Sequence, residues 1–325
     1  MTRAIVLHET GGPEKLSWES VATPNVGDGQ VVIHHTAVGV NYIDTYMRSG
    51  LYPVPTPSVI GQQGVGHVTA LGGGVSRFKV GDKVAYGAAA IGAYAEDRAI
   101  EEDSLVRVPN GIGDEVCAAT LLRGMTAEYL LFRLYSVKPG DTVLVHAASG
   151  GTGVILCQWA RTLGANVIGT VGASSRFKHA RDVGCQLVLE YTDPDFVAKV
   201  SDFTNGKLCD VVYDSVGKDT FEVSLACVKT RGCLAAYGNG SGKPPPLDVL
   251  RLASQGSIFL TRPRLDHYAS DVAETEACAD RFFNSLLSGA VVPRPAQLFS
   301  LKDAASAHRH LEDREKLTTP VLVVD

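Results

Sequence analysis

Short β-branched runs, separated by Gly, Pro and Asp, fill the first third of the chain. RAIVLH, QVVIHHTAVGV, GVGHVTALG, KVAYG and SLVRVP read as strands, and FKVGDKVAYG enters its strand through a Gly-Asp turn. Little helical periodicity is visible before residue 122. Near Leu121 strands begin to alternate with helical segments. TVLVHA precedes a helix over about 152–163, NVIGTV one near 175–183, and LVLEY another; DVVYDSV, CLAAYG and SIFLTRP continue the series. Such alternation predicts a parallel sheet with helices on both faces, and the apolar strand runs fit burial on two sides. Past Pro263, DVAETEACADRFFNSLLSGAV predicts an amphipathic helix with Val272, Ala279, Phe282, Phe283 and Leu286 on one side. QLFSL, a helix around 302–313 and a last strand, PVLVVD, follow. That strand is expected to return to the N-terminal β domain and make it discontinuous.

The expected fold is therefore α/β in two domains. A mostly β domain takes residues 1–122 and 264–325, and a Rossmann-type doubly wound parallel sheet takes 123–263. A length of 325 residues agrees with two domains. Net charge is −5 and no stretch gathers Lys and Arg, which disfavours a nucleic-acid groove. The apolar run in MTRAIVLHETGG is short for a signal peptide, and no segment has the length and apolarity to span a bilayer. Cytoplasmic residence is the expectation. Cysteines 117, 157, 185, 209, 227, 233 and 278 form no CxxC pair, so neither a zinc lobe nor a disulfide framework is indicated, and reduced thiols are expected.

The chemistry concentrates in HAASGGTGVILCQWA, at 146–160. In a G-x-G-x-x-G turn the first glycine makes the bend, the second admits the pyrophosphate and the third lets helix and strand pack closely. Here Ala148 takes the first place, Gly150 the second and Gly153 the third, with Gly151 and Thr152 between. The run follows a strand and opens a helix, so its N-terminal N–H groups would face phosphate. An enzyme using NAD normally ends the next strand with Asp or Glu for the ribose hydroxyls. This chain has Thr170-Val171-Gly172-Ala173-Ser174-Ser175-Arg176-Phe177-Lys178 instead. The missing acid and the planar fork of Arg176 favour a 2′-phosphate, hence NADPH over NADH. The bland alternative is an arginine on a solvated helix start.

Several further stretches occur together and in order: HETGGPEKL, VGVNYIDTYMRSGLYP, FKVGDKVAYG, LLRGMTAEYLL, VVYDSVGKDTF, YGNGSG and TRP. With these and the HAASGGTG turn, the chain resembles the zinc-free, zeta-crystallin-like quinone oxidoreductases of the medium-chain dehydrogenase/reductase superfamily. The resemblance covers essentially the whole chain and implies that the β-rich domain is GroES-like. Zinc-dependent members place Cys where this chain has Asn41, and His-Glu where it has Gln62-Gln63; neutral amides are poor zinc ligands, so no metal is expected. Zinc-free relatives commonly keep an acid at position 63, and Gln63 is a departure that could loosen a buried network or alter substrate preference. His67 reads as structural.

The resemblance implies roles residue by residue. Asn41, Tyr46 and Tyr52 would line the nicotinamide and substrate cleft as the catalytic set. Thr126 and Tyr129 would lie at the nicotinamide end, and Gly150, Gly151, Thr152 and Gly153 at the pyrophosphate. Arg176 and Tyr191 would address the adenosine phosphate. Ser215, Asn239 and Ser241 would sit in strand-end loops, with Arg262 and Arg314 as further cofactor contacts. The implied activity is transfer of reducing equivalents from NADPH to a small quinone in an interdomain cleft, with the Asn41 amide or the Tyr52 hydroxyl donating to the acceptor oxygen. Single-electron transfer stays open. So do reduction of an enone or enal double bond and a non-catalytic, crystallin-like role with RNA binding. A homodimer joined through the SIFLTRP edge strand is expected.

Overall fold

The computed structural model describes residues 1–87, 89–313 and 315–324. The chain divides into two compact units, Met1–Met125 with Ala269–Leu287 and Arg294–Asp325, and Thr126–Tyr268 with Ser288–Pro293.

In the first unit β1 (Thr2–Leu7) pairs antiparallel with β2 (Leu16–Val21). Then follow β3 (Gln30–Gly39), α1 (Tyr42–Arg48), β4 (Ser58–Val59), β5 (Gly64–Leu71), β6 (Lys83–Tyr86), β7 (Asp97–Glu101), β8 (Val106–Arg107) and α2 (Asp114–Glu128). β3 is the hub: it pairs antiparallel with β5 on one side and, over Gln30–His34, with β7 on the other. Ile5, Leu7, Ile33, Val38, Ile60, Val84 and Leu105 fill the core between the strands. The helices α1 and α2 were not visible as amphipathic stripes. The reason is burial on several sides: Cys117, Ala118, Ala119, Leu121, Arg123, Gly124 and Met125 are all buried, so α2 has no continuous polar face to mark it.

The second unit alternates strand and helix: β9 (Thr142–Val145), α3 (Gly151–Thr162), β10 (Asn166–Val171), α4 (Phe177–Asp182), β11 (Leu187–Glu190), α5 (Phe196–Phe203), β12 (Cys209–Asp214), α6 (Phe221–Ala226), β13 (Val228–Ala236), α7 (Leu250–Ser254) and β14 (Phe259–Thr261). Among the described residues the order across the sheet is β11-β10-β9-β12-β13-β14, and every pairing is parallel. This is the doubly wound Rossmann arrangement, with its switch point between β9 and β12. The chain then closes back on the first unit with α8 (Val272–Leu287), β15 (Ala296–Ser300), α9 (Ala304–Glu312) and β16 (Thr319–Val323), which pairs with β3. The predicted return of PVLVVD is thereby realised. On α8 the buried face is Cys278, Ala279, Phe282, Phe283 and Ser285; Val272 and Leu286 are only partly covered.

Candidate active site

At the C-terminal end of β9 the chain turns into α3 with Gly150 as the N-cap, and the N–H groups at the start of the helix have no intrahelical acceptor. The left-handed residue of the turn is Ala147, at φ 51°, and Ala148 is not among the positive-φ residues. That explains why alanine serves at the first glycine position: the bend is made one residue earlier. Gly153 has no such freedom. A Cβ there would stand 2.1 Å from the Ala147 carbonyl oxygen, so the helix can approach the strand only without a side chain.

Beyond β10, Gly172 and Ala173 lead into a 3₁₀ turn at Ser174–Arg176 and then α4. A Cβ at Gly172 would lie 3.6 Å from the Tyr191 ring, so Tyr191 stands beside the strand end. Arg176 is half-buried, and its Nη2 is buried without a hydrogen-bond partner. No carboxylate occurs from Val171 to Lys178. A guanidinium nitrogen that is removed from water and unpaired needs an anion or another acceptor.

Two further loops interlock beside the turn. Gly240 N–H donates to the Ser215 carbonyl at 3.1 Å, and Ser241 N–H to that of Val216 at 2.8 Å. Ser241 Oγ accepts from Asp219 N–H at 3.0 Å and donates to the Val216 carbonyl at 2.9 Å. The Ser241 hydroxyl therefore ties the loops together. Asn239 is buried in the second loop, and Ser215 is half-buried in the first.

Beneath them Asp214 accepts from Val216 N–H at 2.8 Å, Gly217 N–H at 2.9 Å, Thr220 Oγ1 at 2.8 Å and Ser224 Oγ at 2.7 Å. Since Ser224 spends its hydrogen on Asp214, it accepts from His146 Nε2–H at 2.9 Å. His146 Nδ1 then accepts from Thr170 Oγ1 at 2.9 Å. Burial lowers the pKa of His146 and keeps it neutral. This buried relay links β9, β10, β12 and α6 and was missed in the sequence. Its one local signal was the Asp of YDSVG, placed to bond the N–H groups two and three residues on. Thr126 is half-buried on α2, and Tyr129 is buried, its ring stacked 4.5 Å from that of Tyr268. Arg262 Nη1 donates to the Ala236 carbonyl at 2.6 Å. Arg314 lies outside the described residues.

In the β-rich unit the three expected catalytic residues share α1 and its exit. Asn41 is the N-cap, and its N–H donates to the Asp44 carboxylate at 2.8 Å. Tyr46 and Tyr52 meet edge to face with 5.4 Å between ring centroids, and Tyr52 N–H donates to the Tyr46 carbonyl. The Asn41 Nδ2 group donates to Gln63 Oε1 at 2.8 Å, and the Asn41 side chain faces the Asp44 N–H in the capping box at the start of α1. One of the two Nδ2 hydrogens is thereby committed to Gln63, and the expected donation to a substrate oxygen would use the second. Gln63 is itself held there, its Nε2 donating to the Cys117 and Ala118 carbonyls at 3.1 and 2.7 Å. A cavity of about 490 Å³ in this unit is lined by Tyr86, Gly87, Met125, Ser270 and Thr275, among others, and Asn41, Tyr46 and Tyr52 are not part of its wall.

A longer relay supports α1. Arg48 Nη1 donates to His308 Nδ1 at 3.0 Å, His308 Nε2–H to Tyr94 Oη at 2.9 Å, and Tyr94 O–H to Asp44 Oδ2 at 3.2 Å. Burial and then the Arg48 charge hold His308 down at about 3, and burial holds His35 at about 3. Burial raises Asp44 to about 7 against the hydrogen bonds from Asn41 and Tyr94. Sequence spacing gave no sign of this cluster, because Tyr94 and His308 come to Asp44 and Arg48 of α1 from segments far away in the chain. His67 sits exposed on β5, opposite His34. All seven cysteines are buried and free, with Cys157 and Cys185 sulfurs 3.5 Å apart.

Residues 27–139 match the alcohol dehydrogenase GroES-like domain and residues 151–272 the zinc-binding dehydrogenase family. The chain is 42% identical over 324 residues to a quinone oxidoreductase of Pseudomonas aeruginosa, covering 99% of this chain and 100% of that one. It belongs to the zeta-crystallin-like quinone oxidoreductase branch of the medium-chain dehydrogenase/reductase superfamily. A 2-haloacrylate reductase of a Burkholderia species is also 42% identical, over 330 residues and 99% of each chain. The structure of Escherichia coli quinone oxidoreductase complexed with NADPH superposes with a TM-score of 0.95 at 39% identity, covering 99% of each chain. Among the described residues no group of three or more His, Cys, Asp or Glu could hold a metal ion, and no helix is long and apolar enough to cross a membrane.

Proposed function

We propose that the chain is an NADPH-dependent reductase of small quinones that works without zinc. The observation that carries this reading is Arg176: a buried, unpaired guanidinium nitrogen just beyond β10, in a stretch from Val171 to Lys178 that holds no carboxylate. Bound NADPH supplies the reducing equivalents. The chain's own groups then have distinct tasks. The first N–H groups of α3, at Gly151, Thr152 and Gly153, hold the pyrophosphate, and Arg176 with Tyr191 holds the adenosine phosphate. Asn239 and Ser215 border the dinucleotide beyond the strand ends, with Thr126, Tyr129 and Arg262 as supporting contacts. Tyr46 and Tyr52 meet the acceptor, and their hydroxyls stabilise charge that develops on its oxygen.

At the positions where zinc-dependent members carry ligands this chain has Asn41, Gln62 and Gln63, whose neutral amides suit hydrogen bonding better than zinc. The proposal includes a cytoplasmic homodimer formed through β14. Phe259 on that edge strand is 66% exposed, a large apolar side chain on an unpaired strand edge. Sedimentation as a monomer would remove this part.

Reduction of an activated double bond is the second reading, favoured by the likeness to 2-haloacrylate reductase. Loss of nicotinamide absorbance with a benzoquinone, beside an enone and beside NADH, separates the two. Quinone-dependent oxidation of NADPH supports the first reading, and turnover with the enone alone replaces it by the second.

A further inference from the structure

His146, Thr170, Asp214 and Ser224 are fully buried, and hydrogen bonds join them into one chain. The Asp214 carboxylate only accepts, so the hydrogen between it and Ser224, 2.7 Å away, belongs to the serine. Ser224 Oγ then accepts from the imidazole at 2.9 Å, which places the His146 proton on Nε2. Nδ1 is left as an acceptor, and Thr170 Oγ1 donates its hydrogen there at 2.9 Å. Each step leaves one arrangement.

With its hydrogen spent, Thr170 Oγ1 can only accept, and the main-chain N–H of Ala147 faces it at 3.3 Å. Ala147 is the left-handed residue of the turn, at φ 51°, a conformation that sterics disfavour once a Cβ is present. The next N–H, of Ala148, donates to the Thr170 carbonyl at 2.8 Å, and Gly150 N–H donates to the Ala147 carbonyl at 2.8 Å. Two successive N–H groups of the turn are thus held by one residue, one on its side chain and one on its main chain. Were the imidazole proton on Nδ1, Thr170 Oγ1 would face two N–H groups and its own hydrogen would lose its acceptor. At the far end Asp214 also accepts from Val216 and Gly217 N–H, so the chain of bonds runs from the loop after β12 to the turn after β9.

We infer that His146 is a positioning residue for the cofactor: with its proton held on Nε2 it keeps Thr170 Oγ1 as the acceptor for Ala147 N–H, and so fixes the bend that presents the first N–H groups of α3 to the pyrophosphate. This rests on reading the start of α3 as the pyrophosphate site. His146 itself touches no ligand in this role. What it supplies is a bend already set before the cofactor arrives.

Two readouts test it. Nitrogen NMR of the histidine-labelled protein, with the His146 signals assigned by their loss in His146→Gln, reads the tautomer. Nicotinamide fluorescence gives NADPH affinity, and competition gives that of 2′-AMP, which carries the 2′-phosphate and no pyrophosphate. The expected spectrum has Nε2 protonated and Nδ1 unprotonated at neutral pH. Thr170→Val, which removes the hydroxyl and keeps the shape, should weaken NADPH about tenfold, the scale of one hydrogen bond, and shift 2′-AMP by less than about twofold. Thr170→Ser should restore NADPH affinity. Ser224→Ala, on α6, should also weaken NADPH and leave 2′-AMP as it was, and it serves if Thr170→Val does not fold. A proton on Nδ1, wild-type NADPH affinity in the folded variants, or equal losses for NADPH and 2′-AMP would overturn the inference. A wild type that binds NADPH no more tightly than 2′-AMP defeats the pyrophosphate reading instead, because the tautomer is read without any ligand.

Discussion

The turn after β9 and the start of α1 both bring polar groups to a place where a ligand could complete them, by opposite means. The turn does it by omission. Gly150 caps the helix, Gly153 lets it approach the Ala147 carbonyl, and the main chain supplies the donors. The start of α1 does it by accumulation: Asn41, Asp44 and Arg48 of α1 and its cap meet Gln63, Tyr94 and His308 from elsewhere in the chain, and they hold one another's orientation. The first design depends on a few adjacent residues and tolerates no added atom at Gly153. The second depends on distant residues and on their protonation states.

The largest effect is expected from adding one atom to the turn. Gly153→Ala should cost about 3 kcal/mol of stability, since the new Cβ overlaps backbone and not a movable side chain, and should abolish NADPH binding. Thermal melts and a fluorescence titration check both; wild-type affinity would mean that the turn is looser than its geometry indicates.

Acid should weaken the β-rich unit, which holds this second region and also the buried His35 of β3. His35 and His308 titrate near 3 when folded and near 6.5 when unfolded, so the folded state binds fewer protons between those limits. Their stabilising contribution is full above pH 6.5 and declines as pH falls toward 3, by about 1.4 kcal/mol per unit for each histidine. Asp44 acts in reverse: its folded pKa of about 7 means that it gains stability as pH falls from 7 toward 4. Two histidines outweigh one carboxyl, leaving a net loss of about 1.4 kcal/mol per unit below pH 6. Urea midpoints at pH 8, 6.5 and 5 measure it, and Asp44→Asn should steepen the decline. An unchanged slope in that variant would remove Asp44 from the account.

A smaller effect sharpens the comparison from the other side. Ala147→Gly should stabilise the protein by about 1 kcal/mol, because the left-handed conformation costs an L-residue that much. Ala148→Gly should bring no such gain. If Ala148 and not Ala147 responds, the bend has been assigned to the wrong residue.

The contrast also explains what the sequence could disclose. Ala148 to Gly153, the strand before them and the empty space where an acid would stand are local, so the cofactor unit was legible almost strand by strand. The return of the last strand to the β-rich domain was legible too, and the structure shows β3 as its partner there. The helix α2 was not, since burial on several sides erased its stripe. Neither the Asn41–Gln63 pair nor the Asp44–Tyr94–His308–Arg48 relay could be read, because hydrogen bonding between residues distant in the chain leaves no spacing behind. Asn41, Tyr46 and Tyr52 were named only through family resemblance. The structure adds that the Asn41 amide is held by Gln63.

The central claim is that this chain prefers NADPH because Arg176 meets its 2′-phosphate. The direct measurement is the ratio of kcat/KM for NADPH over NADH, with a benzoquinone as acceptor, in the wild type and in Arg176→Gln. The account predicts a strong preference for NADPH that falls by about 10- to 100-fold in the variant, the scale of a charge-assisted hydrogen bond, while NADH is used as before. Equal use of both cofactors by the wild type, or an unchanged ratio in the variant, would contradict it.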